Sequence, residues 1–142
     1  MRNRARYRWM IKDLSKVHPT TRKYLTAATP RPFDFMREAA EHVMERKPGS
    51  YVAIALYSGH HLLGWAMLDF WLSNGSRLVR TYVFVKPRLR RNGYGTMLIA
   101  TARKVAKRRG RGIRVLPYNK TSRCFFRAVN IKKSEVGPGY WL

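Results

Sequence analysis

A basic, glycine-bearing turn between an apolar run and an amphipathic segment holds the residues best suited to chemistry. Its spacing is Val85-x-Pro87-x-x-Arg90-x-x-Gly93-x-Gly95. The helical spacing of apolar residues that follows predicts a helix from Tyr94 onward. The first turn of a helix presents unpaired backbone N–H groups at its positive end, and glycines there let an anion approach the backbone closely. The turn therefore predicts a ligand that carries phosphate.

Two common phosphate-binding patterns do not fit this turn. A Walker loop needs Gly-Lys followed by Ser or Thr, and that run is absent. A dinucleotide-binding fingerprint needs a small residue at position 98, which is Leu98, and an acid about 20 positions later. No acidic residue lies between Asp69 and Glu135. An Asn92-Gly93 hairpin turn is the blander alternative, and the helical pattern after it argues against that interpretation.

The patterning around the turn predicts ten elements in a single domain that spans residues 1–142. Strands are predicted where apolar residues alternate or run on between turn residues, at Tyr7–Leu14, Tyr51–Tyr57, Leu62–Trp71, Leu78–Val85, Ile113–Pro117 and Ile131–Val136. Helices are predicted at Thr21–Ala28, Phe33–Arg46, Tyr94–Arg109 and Asn119–Asn130. The order is β-α-α-β-β-β-α-β-α-β, and its three middle strands form an antiparallel meander.

The spacing of the turn and the order of the elements resemble those of the GCN5-related N-acetyltransferases, the GNAT family. The core of that family's coenzyme signature, Arg/Gln-x-x-Gly-x-Gly/Ala, matches Arg90, Gly93 and Gly95. The resemblance covers nearly the whole chain. It implies an α/β (α+β) fold with a mixed, mostly antiparallel central sheet of about six strands, flanked by about four helices. It also implies acetyl-CoA as the cofactor.

The resemblance implies that acetyl-CoA lies between the strand ending at Val85 and the strand Ile113–Pro117. The backbone of the first strand would bind the pantetheine arm, and the N–H of Val85 or a neighbour would face the thioester oxygen. The turn would hold the pyrophosphate. The cofactor-binding residues implied in this way are Val83, Phe84, Val85, Arg90, Arg91, Asn92, Gly93, Tyr94, Gly95, Thr96, Asn119 and Phe126.

A second family pattern, Asn-x-x-Ala/Ser-x-x-Phe-Tyr, matches Asn119-x-x-Ser122-x-x-Phe125-Phe126. In relatives the final Tyr protonates the leaving thiolate, and Phe126 has no proton to give. Three outcomes stay open. The thiolate leaves unaided, because a thiol pKa is only about 8–9; or water or the phenol of Tyr118 or Tyr140 serves as the acid; or transfer is slow or absent.

A general base is harder to place, because acidic residues are scarce. Asp69, on the strand beside the signature strand, is the best-placed carboxylate, and an ion pair with the basic surface is its alternative role. His60 and His61 fall at a predicted hairpin tip, where solvent exposure is the more usual fate. Two adjacent histidines without further ligands do not predict a metal site.

The charge balance predicts an anionic partner. Thirty Lys and Arg residues stand against seven Asp and Glu residues, a net charge of +23. Nucleic acid is the partner such a charge favours most, although the phosphates of coenzyme A account for part of it. On the helix after the turn, four basic residues would track phosphates: Arg103, Lys104, Lys107 and Arg108.

Two absences bound where the protein works. Cys124 is the single cysteine, which excludes an internal disulfide and fits a reducing cytoplasm. No apolar run reaches the roughly 18 residues that a membrane span needs. We therefore expect a cytoplasmic protein that does not insert into a membrane.

Together these features predict an N-acetyltransferase that modifies an amine on an acidic or nucleic-acid-associated substrate, such as an aminoacyl-tRNA or a protein with an acidic surface. Cationic acceptors such as aminoglycosides are disfavoured, because like charges weaken encounter and binding. The alternative is a protein that keeps the fold but binds nucleic acid or a partner protein, with little or no transfer.

Overall fold

The computed structural model describes residues 6–29, 34–73 and 75–140. Within these ranges the strands are β1 (Tyr7–Asp13), β2 (Tyr51–Ser58), β3 (His61–Asp69), β4 (Leu78–Val85) and β5 (Gly112–Arg114). The α-helices are α1 (Pro19–Ala28), α2 (Asp34–His42), α3 (Tyr94–Arg108) and α4 (Lys120–Ala128). The predicted start of the second helix at Phe33 lies outside the described residues. No helix in the described ranges is long and apolar enough to span a membrane.

The strands form one sheet in the order β1-β2-β3-β4-β5. The first four pair antiparallel, and β5 pairs parallel to β4. Hairpins join β2 to β3 and β3 to β4, whereas α3 makes the crossover that a parallel neighbour requires. The predicted meander and the mixed sheet are therefore confirmed.

The helices cover both faces of the sheet. On one face, α3 contributes Leu98, Ile99 and Ala102 to a core that includes Val83 and Val85 of β4. On the other face, Leu25 of α1 and the α2 residues Met36 and Ala40 pack against strand side chains that point away from α3. These strand residues are Trp65, Met67, Tyr82 and Phe84. Because side chains alternate across a strand, β4 thus sends even-numbered residues toward α1 and α2 and odd-numbered residues toward α3.

The predicted sixth strand, Ile131–Val136, is wrong. Lys133–Glu135 forms a 3-10 turn, and only an isolated bridge between Val115 and Val136 continues the sheet. The Glu135 carboxylate accepts a hydrogen bond from the Lys132 backbone N–H at 2.9 Å. That contact closes a turn where the apolar residues alone predicted an extended chain.

Helix boundaries shift where a cap intervenes. The α1 helix begins at Pro19 rather than Thr21, because the His18 Nδ1 accepts from the Thr20 N–H at 3.1 Å and proline suits the first helical position. The α2 helix ends at His42, and a 3-10 turn at Val43–Glu45 replaces the predicted last turn. Neither change moves the turn after β4.

Candidate active site

The turn between β4 and α3 ends in an α-helix whose first residues carry no side-chain cap. Gly93 is the N-cap, with φ 82° and ψ 2°, and no side chain bonds the N–H groups of the first turn. A Cβ at Gly93 would meet nothing within 4 Å. Open space, unpaired N–H groups and the positive end of a 15-residue helix together suit an anion.

The second glycine of the turn serves packing instead. A Cβ at Gly95 would lie 2.6 Å from the Phe125 ring and 3.0 Å from Val129, so glycine lets α4 pack closely on α3. The sequence predicts the same role for both glycines, which is to let a phosphate approach the backbone closely. The geometry supports that reason for Gly93 only.

Polar side chains of the turn hold its backbone in shape. The Arg90 Nε donates to the Val85 carbonyl at 3.1 Å, and the Asn92 amide donates to the Leu89 carbonyl at 3.0 Å. Arg88 and Arg91 are exposed, and Arg91 adopts φ 69°. Arg90 and Asn92 therefore shape the turn, while the guanidinium groups of Arg88 and Arg91 lie open to an anion.

The start of α3 also contacts the far edge strand. The Tyr94 ring meets the Tyr7 ring of β1 edge-on, with 5.9 Å between centroids. A hydrogen bond with the Tyr7 hydroxyl raises the pKa of Tyr94. Thr96 is exposed one turn into the helix, next to the N–H groups that the glycine cap leaves open.

Strands β4 and β5 pair over three residues and then separate. Leu78–Arg80 pairs with Gly112–Arg114, and β4 then continues to Val85 with no described strand on that side. The Gly112 N–H donates to the Arg77 carbonyl at 3.0 Å, so backbone groups of odd-numbered β4 residues point toward β5. The backbone groups of Val83 and Val85 therefore line the opening between the strands.

Phe84 does not share that orientation. Its carbonyl oxygen faces β3, only 2.5 Å from where a Cβ on Gly64 would lie. Phe84 pairs with Trp65, and its side chain is buried on the α1 and α2 face. Gly64, which the sequence-based reasoning did not single out, is thus needed for the close approach of β3 to β4. The implied backbone role of Phe84 in coenzyme binding does not fit this geometry.

The second family pattern shapes α4 from its first residue. The Asn119 side chain accepts from the Ser122 N–H at 2.9 Å, and the Ser122 hydroxyl accepts from the Asn119 N–H at 3.0 Å, a reciprocal capping box. Phe126 is buried in the core beneath α3. Its ring therefore fills core space at the position where the pattern noted in the sequence has Tyr, and a phenyl ring supplies no acid there.

An aromatic cluster forms where β4 and the chain after β5 diverge. We call it the tyrosine cluster, made of Phe35, Tyr82, Tyr118 and Tyr140. The rings of Phe35 and Tyr82 stack with 5.4 Å between centroids, and those of Phe35 and Tyr118 with 6.4 Å. Tyr140 meets Tyr118 edge-on at 6.0 Å. Both phenols named from the sequence are thus brought together, with Tyr82 and Phe35 as members that were missed.

The hydroxyl group of Tyr82 is the unusual atom of this cluster. It is buried and has no hydrogen-bond partner of good geometry among the described residues, although Arg80 and Tyr118 lie close to it. Burial raises the pKa of Tyr82 far above its ordinary value, and Tyr118 adds to the rise. Burial and the nearby Tyr140 likewise raise the pKa of Tyr118. A buried hydroxyl whose contacts with Arg80 and Tyr118 are not well-formed hydrogen bonds is uncommon in a folded protein.

Asp69 has a structural role at the end of β3. The residue is 3% exposed, and its carboxylate accepts a hydrogen bond from the Leu72 N–H at 2.9 Å, which closes the turn after the strand. Burial raises its pKa, while the N–H groups of Leu72 and Trp71 oppose the rise. In the β3–β4 register Asp69 lies opposite Arg80, on the same sheet face as Tyr82. Asp69 is therefore a neighbour of the tyrosine cluster.

The four basic residues named on α3 divide into two kinds. The Arg103 guanidinium is engaged by Glu135 through two 2.8 Å hydrogen bonds, and it also donates to the Asn130 carbonyl. Arg103 is therefore not free to bind phosphate, and its prediction as a nucleic-acid contact is wrong. Lys104, Lys107 and Arg108 are exposed, as the helical pattern predicted.

A broad depression of about 630 Å³ lies beside the end of β4. Its wall includes Ala28, Leu63, Phe84, Lys86 and Tyr94. It opens on the β3 side of β4, so it is distinct from the opening between β4 and β5. Tyr94, at the start of α3, also borders this depression.

The sequence of residues 8–130 matches the model of the acetyltransferase (GNAT) family. This chain belongs to the GNAT family. The match covers β1 through α4, so it includes the turn, the separated strands and the capped helix just described. The family and the fold predicted from the sequence are confirmed, with five strands in the sheet rather than six. No curated protein sequence matches the chain significantly.

Solved GNAT structures share the fold at low identity. An aminoglycoside 6′-N-acetyltransferase complexed with coenzyme A is 21% identical, with a TM-score of 0.58 over 75% of this chain and 60% of that chain. AAC(6′)-Iy, in complex with the bisubstrate analogue CoA-S-monomethyl-acetylneamine, is 19% identical, with a TM-score of 0.62 over 95% and 98%. The protein yncA from Salmonella typhimurium, with its cofactor acetyl-CoA, is 17% identical, with a TM-score of 0.56 over 97% and 89%.

The chain spans 60% of the first of these proteins, and the identities establish the fold rather than a shared substrate. Coenzyme A, its acetylated form or a derivative is present in all three. The prediction of acetyl-CoA as cosubstrate is thereby confirmed for the family to which this chain belongs.

Tyr82 could have been found from the sequence. It alternates with Arg80 and Phe84 on the strand that feeds the turn, and strand parity puts its side chain on the face opposite α3. Phe35 gave no such signal, because its stacking on Tyr82 depends on how α2 packs on the sheet.

Proposed function

We propose that this GNAT protein is an acetyl-CoA-dependent N-acetyltransferase whose acceptor is an amine on an acidic or nucleic-acid-associated substrate, such as an aminoacyl-tRNA or a protein. One observation carries the proposal. β4, whose end borders the opening beside β5, continues through the turn into a helix start whose N–H groups have no side-chain cap. We expect the protein in the cytoplasm, as its single cysteine predicted.

The residues present fit acetyl-CoA. The N–H groups of Gly93 to Thr96, with the exposed Arg88 and Arg91, suit its phosphates. The backbone groups of Val83 and Val85 suit its amide-bearing arm. The Val85 carbonyl already accepts a hydrogen bond from Arg90, so the Val85 N–H is the backbone group that remains to bind a ligand in the opening. When bound, acetyl-CoA supplies an acetyl group activated as a thioester.

We assign the acid role to Tyr118. Phe126 cannot donate a proton. The ring of Tyr118 stacks with Phe35, which stacks on Tyr82 of β4, so Tyr118 lies on the sheet face opposite Phe126. The buried Tyr82 hydroxyl can form a further hydrogen bond, and it lies near Tyr118. We therefore assign Tyr82 the role of positioning the Tyr118 phenol. Tyr118 would give its hydroxyl proton to the departing sulfur. Tyr140 packs edge-on against the ring of Tyr118.

The charge of the chain supports the acceptor class. A net charge of +23 attracts an anionic substrate and repels a polycationic one. Two of the similar structures carry aminoglycoside acetyltransferase names, and aminoglycosides are cationic. Identities of 21% and 19% do not carry that acceptor class to this chain. Efficient acetylation of a small cationic amine would contradict the proposed class.

The first test is a calorimetric titration of acetyl-CoA into the protein. We expect binding by the wild type and at least tenfold weaker binding by Gly93→Glu, which places a carboxylate at the proposed phosphate site. Gly75→Glu is the matched control, because Gly75 also has a positive φ, 80°, and open space around it. Absence of wild-type binding would overturn the enzyme hypothesis.

The second test concerns Tyr118. With aminoacyl-tRNA as the acceptor probe, we expect Tyr118→Phe to lower thiol release by a factor of about 10² or more, because a general acid contributes about 10²–10⁴. Acetyl-CoA affinity should not change. Tyr24→Phe, at an exposed tyrosine of α1, is the control. An unchanged rate in Tyr118→Phe beside an active wild type would remove Tyr118 from the mechanism.

A second candidate function rests on Phe126 and on the exposed Lys104, Lys107 and Arg108. In this alternative the fold binds nucleic acid or a partner protein with little or no transfer. It predicts nucleic-acid affinity that falls steeply with salt and does not depend on acetyl-CoA. Thiol release with any acceptor at ordinary enzymatic rates would contradict it.

A further inference from the structure

We call the segment between β4 and α3, residues 86–93, the coenzyme turn. A basic and aromatic surface lies at the other end of the sheet. We call it the Trp71 patch, made of Trp71 with Arg46, Lys107, Arg108, Arg109 and Arg111. It forms where β3 and α3 end and where β2, β4 and β5 begin. Trp71 is 45% exposed, which is unusual for so large an apolar side chain in a monomeric surface.

Contacts hold three of the five cations of this patch in fixed places. The Arg46 guanidinium lies 4.1 Å from the centroid of Trp71, and that of Arg109 lies 3.9 Å from the centroid of Phe70. Arg109 also donates to the Gly49 carbonyl at 2.9 Å, and Arg111 donates to the Ser73 carbonyl at 3.1 Å. These partners are rings and carbonyls, so the positive charges are oriented without being neutralised.

Acidic residues offset only part of this charge. None of the five cations forms an ion pair within the described ranges. The nearest carboxylates are otherwise engaged, since Asp69 is buried, Asp13 accepts from the Gly49 N–H and Glu45 pairs with His42. Asp69 interacts electrostatically with Arg46, but the five cations outnumber these three carboxylates, so the patch stays positive.

We propose that the Trp71 patch binds a single-stranded segment of nucleic acid. Five cations suit a phosphate backbone, and an exposed indole offers a platform on which an unpaired base stacks. The Arg46 guanidinium on one side of Trp71 pre-organises the ring. An acidic protein would use the cations but would leave the exposed indole without a role.

The patch lies apart from the coenzyme turn. The α3 helix separates them, and 15 residues at 1.5 Å each make it about 22 Å long. Nucleic acid on the Trp71 patch and acetyl-CoA at Gly93 can therefore bind together. The inference identifies a binding surface for the nucleic-acid-associated substrate of the proposed function, and it also holds for a protein without transfer activity.

The test measures fluorescence anisotropy of a labelled, mixed-sequence 20-nucleotide single-stranded RNA. We expect log affinity to fall with log salt at a slope of about −3.5, because five cations on single-stranded nucleic acid release counterions with about −0.7 each. A duplex of equal length should bind more weakly. Duplex binding as tight as that of the single strand would overturn the single-strand assignment.

Variants locate the site. Trp71→Ala should weaken binding about tenfold, and Trp71→Phe should restore most of it, since base stacking on an aromatic ring is worth roughly 1–3 kcal/mol. Lys107→Glu with Arg108→Glu should weaken binding more than Arg127→Glu with Lys133→Glu, exposed residues outside the patch with the same charge change. Equal losses in the two pairs, or unchanged binding by Trp71→Ala, would overturn the proposal.

Saturating acetyl-CoA separates this proposal from the enzyme hypothesis. We expect it to leave RNA affinity unchanged. Competition would place the RNA on the coenzyme's phosphate site and overturn the Trp71 patch. The calorimetric titration of acetyl-CoA reports on the coenzyme site alone, so either proposal can fail while the other stands.

Discussion

Residues of one type serve different physical needs in this protein. Gly93 supplies a positive φ at a helix cap, Gly95 makes room for α4, and Gly64 allows β3 to approach β4. Only the first is a property of the local chain conformation. The other two depend on atoms from segments that are distant in sequence, so their reasons are visible only in the folded molecule.

The first prediction concerns Asp69 and separates its structural role from a catalytic one. Burial raises its pKa, so the folded state holds the proton more tightly than the unfolded state does. Its contribution to stability is therefore lost as pH rises from the unfolded pKa through the folded pKa. We expect Asp69→Asn, which keeps an acceptor for the Leu72 N–H, to be at least as stable as the wild type at neutral pH.

The measurement is urea unfolding between pH 4 and pH 7. Asp69→Ala, which removes the acceptor, is the control and should lose about 1–2 kcal/mol. If Asp69→Asn folds normally but loses acetyl transfer, the carboxylate is the general base. If transfer survives, Asp69 is a turn cap only.

At the scale of elements, α3 connects the coenzyme turn to the C-terminal segment that supports the tyrosine cluster. Its start faces the coenzyme turn, and its middle is tied to the C-terminal segment by Arg103 and Glu135. That segment also carries the bridge from Val136 to Val115, just before the chain reaches Tyr118. The ion pair therefore helps fix the position of the tyrosine cluster.

The second prediction concerns the acid stability given by this ion pair. Burial alone would raise the pKa of Glu135, but the Arg103 guanidinium and the Lys132 N–H lower it below its usual value. A lowered pKa contributes stability above the unfolded pKa, and that contribution is lost as pH falls through the folded pKa. We expect Glu135→Gln to lose about 1–2 kcal/mol at neutral pH, and the difference from the wild type to shrink in acid.

Denaturant unfolding from pH 7 to pH 3 checks this. Glu45→Gln is the control and should follow the wild type, because the Glu45 carboxylate is exposed and its one ion-pair partner among the described residues is the exposed His42. A constant difference between Glu135→Gln and the wild type across the whole pH range would mean that the ion pair does not titrate as described.

For the whole molecule, self-repulsion is the dominant electrostatic feature. A net charge of +23 on 142 residues destabilises the compact state. Salt screens such repulsion, because the Debye length falls from about 30 Å at 0.01 M to about 10 Å at 0.1 M. The third prediction is that the midpoint of thermal unfolding rises by several degrees between 10 mM and 300 mM NaCl.

Differential scanning calorimetry measures the effect. Potassium chloride at equal ionic strength is the control, since screening does not depend on which monovalent cation is used. A polyanion such as polyphosphate, at low salt, should raise the midpoint further, because it binds the folded surface. A midpoint that stays flat or falls with salt would show that repulsion does not limit stability.

The sequence by itself determined the features that depend on neighbouring residues. Apolar periodicity defined the order of the elements, the Gly93 turn marked a helix start, and residue counts gave the charge. The absence of a phenol at Phe126 also followed directly, once the family pattern was recognised. These features arise from local backbone preferences and composition, which require no knowledge of the packing.

Only the tertiary structure decided which distant side chains meet. It turned the predicted sixth strand into a turn closed by Glu135, took Arg103 out of the free basic face and brought Tyr82 next to Tyr118. It also gathered the cations of the Trp71 patch from α3 and from the chain around β2 and β3. Such contacts form only when burial of the shared core offsets the entropy of closing long loops, and periodicity in the chain carries no record of which partner lies across that core.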